Sequence, residues 1–93
     1  MKDTESFYKK LKTQLDETTK FPADYMYKFI VLVEGNQFDQ IQKIFDNKKA
    51  VITTKKSKKG KYISVSIVIK LENSNEVISY YKKAEKIKGI ISL

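Results

Sequence analysis

Five lysines that lie close together in the sequence are the first candidates for a binding site. Only one serine and one glycine separate them within residues 55–61, a segment called the lysine turn below: Lys55, Lys56, Lys58, Lys59 and Lys61. No acidic residue occurs from residue 47 to residue 71. Clustered cations attract anionic ligands and acidic surfaces. Such a run is also typical of a solvated hairpin tip that keeps an edge strand from aggregating, and the sequence leaves both interpretations open.

A second candidate lies where a strand is predicted to give way to a helix. Gly35, Asn36 and Gln37 occupy this junction. Unpaired backbone N–H groups and the positive end of a helix dipole attract anions there. Together with the lysine turn and Tyr62, which follows it, these residues form the predicted site. We expect its occupant to be a small anionic metabolite or an acidic patch on a protein partner.

The amino-acid composition excludes most forms of catalysis. The chain has no histidine and no cysteine, so the usual general base, a thiol nucleophile and the commonest zinc ligands are absent. Glu34 and Glu72 fall at opposite ends of neighbouring predicted strands, too far apart for paired acid–base work. No glycine-rich phosphate loop is present. We therefore expect no catalytic residues, no metal site and no cofactor, in other words a non-catalytic protein.

The positive charge is local, and its type bears on nucleic-acid binding. The net charge is +8, and all 19 basic residues are lysine, whereas arginine is preferred for bidentate recognition of phosphate and guanine. An RNA-recognition motif needs two or three exposed aromatic residues on its first and third strands. Here Tyr62 is the one candidate, because Tyr27 and Phe29 are predicted to face the helices. Nonspecific nucleic-acid binding through the lysine turn remains the alternative function.

Hydrophobic periodicity predicts the elements that position these residues. Phe7, Tyr8, Leu11 and Leu15 fall on one side of a first helix that ends near Thr18. Asn36 and Asn73 are the predicted N-caps of the other two helices, and Glu76 completes a capping box with Asn73. The remaining predicted segments are strands at residues 25–34, 50–56, 62–71 and 90–93, with helices at about 36–46 and 73–86 between them.

This order predicts an α+β fold, the ferredoxin-like βαββαβ sandwich, preceded by an N-terminal helix within residues 1–20. We expect a single domain, residues 1–93, with residues 21–93 forming the core. Its four-stranded antiparallel sheet should have the order 4-1-3-2, with two helices on one face. In this topology the loop at residues 35–37, the lysine turn and the segment 86–89 meet at one edge of the sheet.

Two packing expectations follow from the side-chain patterns. Both faces of the first strand are largely apolar, which is typical of a central strand partly covered on each side. The apolar stripe of the first helix also needs cover, and we expect Tyr62, Ser64 and Ser66 to lie beneath it; the alternative is that these three residues stand on an open sheet face and contact a ligand or a partner.

Compartment and assembly are only loosely constrained. The longest apolar run, Phe29–Val33, is too short to span a membrane, and residues 1–5 lack the apolar stretch of a signal peptide. We therefore expect a cytoplasmic protein with no membrane partner. An exposed sheet edge would allow two copies to pair as a homodimer.

Several motifs resemble a known family. Phe21-Pro22, Tyr27-Lys28 and the stretch from Ser57 to Ser66, Ser-x-x-Gly-x-Tyr-x-Ser-Val-Ser, are similar to the YbeD-like family of small bacterial proteins. The resemblance extends from about Leu15 to Leu93. It implies a fold like that of the ACT regulatory domains, which bind amino acids beside metabolic enzymes, and hence a regulatory role. It also implies that Gly35 is a ligand-contacting glycine, although Glu34 precedes it where ACT domains have proline.

Overall fold

A computed structural model describes residues 2–46 and 49–92 of the chain. Lys48, one of the cations near the lysine turn, and Leu93, at the end of the last predicted strand, lie outside the described residues. The elements in chain order are α1 (Lys2–Thr18), β1 (Ala23–Leu32), α2 (Gln37–Ile44), β2 (Val51–Lys56), β3 (Tyr62–Leu71), α3 (Ser74–Glu85) and β4 (Ile91–Ser92).

The four strands form one antiparallel sheet in the order β2-β3-β1-β4, which is the predicted order 4-1-3-2 counted from the opposite edge. β1 and β3 pair along their whole length, from Ala23 opposite Leu71 to Leu32 opposite Tyr62. β4 pairs with Phe29 and Ile30 of β1. The structure confirms the predicted ferredoxin-like fold with its additional N-terminal helix.

The core lies between the helices and one face of the sheet, called the core face. Side chains alternate between the two faces of a strand, so every second residue of β1 and β3 points toward the helices. Tyr27, Phe29, Val65 and Ile67 are fully buried there. The helices add Leu15 from α1, Ile41 from α2, and Val77, Tyr80 and Ala84 from α3.

The opposite face of the sheet, called the open face, carries no helix in the described part of the chain. α1 packs beside α3 on the core-face side: the Tyr8 hydroxyl donates to Glu85 Oε1 at 2.5 Å, and Ser74 Oγ donates to Asp16 Oδ1 at 2.6 Å. The expectation that Tyr62, Ser64 and Ser66 lie under the first helix is therefore wrong. On the open face of β1, Ile30 is partly buried while Met26 and Leu32 are exposed, so this face is covered only in part.

α3 begins as its sequence predicts, whereas α2 does not. Asn73 has an extended backbone and its Oδ1 accepts from the Glu76 backbone N–H at 3.0 Å, while Glu76 Oε1 accepts from the Glu72 N–H at 2.7 Å. These bonds form the predicted capping box. Asn36 precedes α2 but its side chain makes no cap hydrogen bond, so that predicted cap is wrong.

Element boundaries differ slightly from the predicted ones. β1 begins two residues earlier and ends two residues earlier than predicted, and α2 ends at Ile44, two residues short of the predicted end. No helix in residues 2–46 and 49–92 combines the length and the apolar character needed to cross a membrane.

Candidate functional site

The lysine turn is a short, hydrogen-bonded hairpin connection between β2 and β3. The Ser57 N–H donates to the Tyr62 carbonyl at 2.8 Å, and the Tyr62 N–H donates to Ser57 Oγ at 3.1 Å. The Gly60 N–H donates to the Ser57 carbonyl at 2.9 Å, and Gly60 has a φ of 71°. A glycine adopts this left-handed backbone without steric cost. These bonds fix the backbone that carries the lysine side chains.

All five lysines of the turn are exposed to solvent. Among the described side chains, those of residues 5–46 and 49–92, the one salt bridge joins Lys12 to Asp16 at 3.1 Å, on α1. None of the five lysines therefore has a carboxylate of the described chain within salt-bridge distance. Lys61 Nζ lies 5.8 Å from the centre of the Tyr62 ring, a cation–π distance. The turn thus presents five positive charges to solvent, and no described carboxylate lies within salt-bridge distance of them.

The loop after β1 adjoins the lysine turn. The Val33 N–H donates to the Lys61 carbonyl at 2.9 Å, which extends the β1–β3 pairing toward the turn. A hollow of about 460 Å³ lies between the two segments, and Glu34 and Gly60 contribute to its lining. Gly35 has a φ of 97°, so a side chain at this position would strain the backbone. Glu34 places a negative charge beside the cationic turn.

Gln37 joins the same edge of the sheet to the end of α3. Its Oε1 accepts from the Leu32 N–H at 2.8 Å, and its Nε2 donates to the Lys88 carbonyl at 2.8 Å. A Cβ added to Gly89 would lie 2.9 Å from Gln37 Nε2, so the close approach requires glycine. The structure therefore brings together the three segments that the topology predicted to meet. It also gives Gln37 a structural role, since both ends of its amide are already engaged.

The start of α2 is less cationic than the sequence suggested. Asn36 Oδ1 accepts from Gln40 Nε2 at 2.9 Å instead of from the helix backbone. Asp39 lies in the first turn of α2, where its carboxylate complements the positive end of the dipole. With Glu34 nearby in the sequence, two carboxylates bracket this helix start. Within the predicted site, the positive charge is therefore concentrated on the lysine turn, whose lysines form no salt bridge with a described carboxylate.

Tyr62 links the lysine turn to the open face, for which contact with a ligand or a partner was the alternative to cover by the first helix. The Tyr62 ring is partly exposed, and Tyr62 pairs with Leu32 across the strands. Met26, Val51 and Ile91 are also exposed and fall on this face. A usable signal was present in the sequence, because Ser64, Ser66 and Lys70 alternate with the buried residues of β3. Hydroxyl and ammonium groups in that register are typical of a solvated sheet face.

A second hollow, of about 560 Å³, lies between α1, the end of α3 and β4. Phe7, Leu11 and Ile87 contribute apolar surface to it. Tyr8, which donates its hydroxyl proton to Glu85, also lies on its wall. Burial, followed by that hydrogen bond, raises the pKa of Tyr8 well above its ordinary value. The phenol is therefore neutral at physiological pH and is not available as a base.

Burial and hydrogen bonds within the fold also shift the pKa values of other titratable groups. Burial is the largest cause that raises the pKa of Tyr27, Tyr80 and Tyr81, so these phenols stay protonated at neutral pH. The hydrogen bond from Ser74, and then that from Lys12, lower the pKa of Asp16. Within the described residues, no three histidine, cysteine or acidic side chains cluster as a metal site would require.

Comparison with known proteins gives a family and a set of relatives. Residues 16–93 match the model of a family described as "Protein of unknown function (DUF493)". A UPF0250 protein of Buchnera aphidicola subsp. Schizaphis graminum is 36% identical over 80 residues, which cover 83% of this chain and 92% of that protein. A UPF0250 protein of Edwardsiella ictaluri is 32% identical over 76 residues, covering 78% and 87% respectively.

A solved structure supports the fold independently. The ACT domain from the GTP pyrophosphokinase of Chlorobium tepidum superposes with a TM-score of 0.53 at 16% identity, covering 76% of this chain and 100% of that domain. At this identity the likeness concerns the fold alone. The family match confirms the resemblance found from the motifs: the chain belongs to the DUF493 family of proteins of unknown function, and it has an ACT-like, ferredoxin-like fold.

Proposed function

We propose that this protein is a small, non-catalytic interaction domain that regulates a protein partner by binding an acidic surface of that partner through the lysine turn. The observation that carries the proposal is the set of five exposed lysines with no carboxylate of the described chain in salt-bridge range. Buried ion pairs are not needed for such recognition, because complementary surface charge increases association rates and selects partners.

The geometry favours a protein surface over a small anionic metabolite. The adjoining hollow has Glu34 in its lining, and a carboxylate there disfavours a small anion. Gln37 is held at both ends, and Asn36 faces Gln40, so neither amide is poised for a small ligand. Small-ligand sites are usually concave, with a few convergent polar groups. A projecting turn with spread charges is better suited to contact a broad acidic surface.

A regulatory role draws support from the ACT-like fold. The solved neighbour is a domain of a GTP pyrophosphokinase, so a fold of this kind occurs attached to an enzyme. In the present chain a separate partner would take the place of the attached enzyme. The chain itself has no histidine or cysteine, which agrees with the assignment of any chemistry to the partner.

Nonspecific nucleic-acid binding is the second candidate function, and the same five lysines support it. Tyr27 and Phe29, which an RNA-binding sheet would expose, are fully buried on the core face. Any nucleic-acid affinity would therefore come from charge, and it would fall steeply with added salt.

Affinity capture from lysate tests the proposal. The bait proteins are the wild type, a variant with all five lysines of the lysine turn changed to glutamine, and a charge-matched control. The control changes five exposed lysines elsewhere to glutamine: Lys9, Lys10, Lys20, Lys43 and Lys82. We expect a protein partner to be retained by the wild type and the control, and to be lost by the lysine-turn variant.

Two results would overturn the proposal. Retention of the partner by all three baits would mean that the lysine turn is only a solvated tip. Loss from both variants would mean that net charge, and not the position of the lysines, determines binding. Nuclease treatment of the lysate distinguishes the second function, because a partner that is bridged by nucleic acid is lost after the treatment.

A further inference from the structure

The open face carries most of the exposed apolar surface of the described chain. Among residues 2–46 and 49–92, six large apolar or aromatic side chains are exposed, and five of them lie on this face: Met26 (57%), Leu32 (37%), Val51 (61%), Tyr62 (40%) and Ile91 (51%). The sixth, Phe7, is on α1. Exposed apolar side chains that gather on one face mark interaction sites, whereas apolar side chains scattered singly need no explanation.

Strand pairing shows that these residues are neighbours. Met26 lies opposite Val68, which in turn lies opposite Val51, so one apolar row crosses three strands. Leu32 lies opposite Tyr62 at the end near the lysine turn, and Ile91 lies opposite Ile30. Between these rows, Ser66 is flanked by Lys28 and Thr53.

The charges on the open face select the type of occupant. Lys28, Lys55 and Lys70 fall on it, with Asp24 as the one acidic residue at a strand position of this face. The lysine turn continues the positive charge beyond Tyr62. Two copies placed face to face would bring lysines against lysines, which is unfavourable at close range. The complement of this surface is an apolar stripe with carboxylates on either side of it.

We propose that the open face is a docking surface for an acidic amphipathic segment of the partner, whose apolar side covers Met26, Val51 and Val68 while its carboxylates meet the lysines. This inference rests on the proposed function and adds the apolar half of the binding surface. The occupant is a protein segment whose apolar residues recur at helical or strand spacing among aspartates and glutamates.

Site-specific photo-crosslinking in the producing cells provides the test. A photoreactive benzoylphenylalanine replaces Val51 on the open face, and in a control protein it replaces Ser79, an exposed residue of α3 on the helix side. We expect Val51→benzoylphenylalanine to crosslink a polypeptide that mass spectrometry maps to an acidic amphipathic segment. The Ser79 position should not crosslink that segment.

A synthetic peptide of the mapped segment then allows binding to be measured. We expect the double variant Met26→Thr, Val51→Thr to bind this peptide roughly tenfold more weakly than the wild type, because the apolar contact area is lost. Threonine suits a strand, so the fold should persist, and the circular dichroism spectrum checks this. Phe7→Ala is the matched control, since it removes an exposed apolar side chain away from the open face, and it should bind like the wild type.

Several outcomes would overturn the inference while leaving the proposed function intact. A crosslink from residue 51 to a second copy of the chain would identify a homodimer interface, and a crosslink to anionic phospholipid would identify a membrane surface. Unchanged peptide binding by the double variant would show that the apolar residues take no part. In each case, capture that still depends on the lysine turn would preserve the proposal for the turn. Loss of that dependence as well would remove both proposals.

Discussion

At the residue scale, Tyr27 connects the sheet to α3. Its ring is fully buried and packs against the rings of Tyr25, Phe45 and Tyr81, with centroid distances of 4.9, 5.2 and 4.9 Å. Its hydroxyl donates to the Val77 carbonyl at 2.8 Å. Buried aromatic pairs stabilise a core beyond their area alone, and the hydroxyl fixes how α3 sits on β1.

Removal of that hydroxyl should weaken the fold. We expect Tyr27→Phe to lower the free energy of unfolding by about 1 kcal/mol, because a buried hydrogen bond is lost while the ring is kept. Urea unfolding followed by circular dichroism measures the change. Tyr62→Phe is the control, since its ring is partly exposed, and it should leave the unfolding midpoint unchanged. Equal effects from the two substitutions would contradict the role assigned to Tyr27.

The buried phenols also predict a dependence on alkaline pH. Burial raises the pKa of Tyr8, Tyr27 and Tyr81 above the ordinary value of 10.0. Because the folded pKa is the higher one, this contribution to stability is fully present below the unfolded pKa and is lost as pH rises beyond it. We expect the free energy of unfolding to decline from about pH 10 upward, while these phenols ionise late in an absorbance titration. Ionisation of every tyrosine near the ordinary value in the folded protein would contradict this.

At the element scale, two asparagines in similar sequence positions differ in what they do. Asn73 caps α3, whereas Asn36 makes no cap bond and instead accepts from Gln40. The Asn73 cap was predictable because Glu76 completes a local capping box. The exception at Asn36 was not, because the orientation of its side chain depends on a neighbour that competes with the helix backbone.

The two helix starts give a matched pair of variants. We expect Asn73→Ala to lower the free energy of unfolding by about 1 kcal/mol, the usual cost of a lost N-cap, and Asn36→Ala to change it by less than about 0.5 kcal/mol. Thermal or urea unfolding of both variants provides the comparison. A larger loss from Asn36→Ala would mean that Asn36 caps α2 in solution.

The buried residues of α1 were predictable from the sequence, whereas its position on the fold was not. Its apolar stripe correctly indicated that Tyr8 and Leu15 are buried. A stripe identifies the buried residues of a helix but not the element that covers them. The bonds from Tyr8 to Glu85 and from Ser74 to Asp16 join residues 77 and 58 positions apart, and no local pattern encodes such pairs. The sequence therefore left open whether the second face of β3 contacts a partner or lies under α1.

At the scale of the whole molecule, sequence and topology gave different parts of the candidate site. The strand and helix periods were sufficient for the sheet order, and the sheet order brought residues 33–37, the lysine turn and residues 86–89 to one edge. Side-chain detail then redistributed their roles. Gln37 links the sheet to the segment after α3. The carboxylates of Glu34 and Asp39 disfavour an anion at the start of α2. The lysines of the turn have no described carboxylate within salt-bridge distance.

The central claim is that the lysine turn binds an acidic partner through the position of its five lysines, and not through the net charge of the protein. The most direct measurement is the dissociation constant of the captured partner, by calorimetry at two salt concentrations, for the wild type, the five-lysine variant of the turn and the charge-matched control. Exposed ion pairs contribute about 0.2–1 kcal/mol each, so loss of five should weaken binding by at least about fivefold. For the turn variant we predict that weakening, together with a smaller dependence of the dissociation constant on salt. For the control we predict that the dissociation constant changes by less than about threefold. Equal affinities for the two variants would contradict the claim.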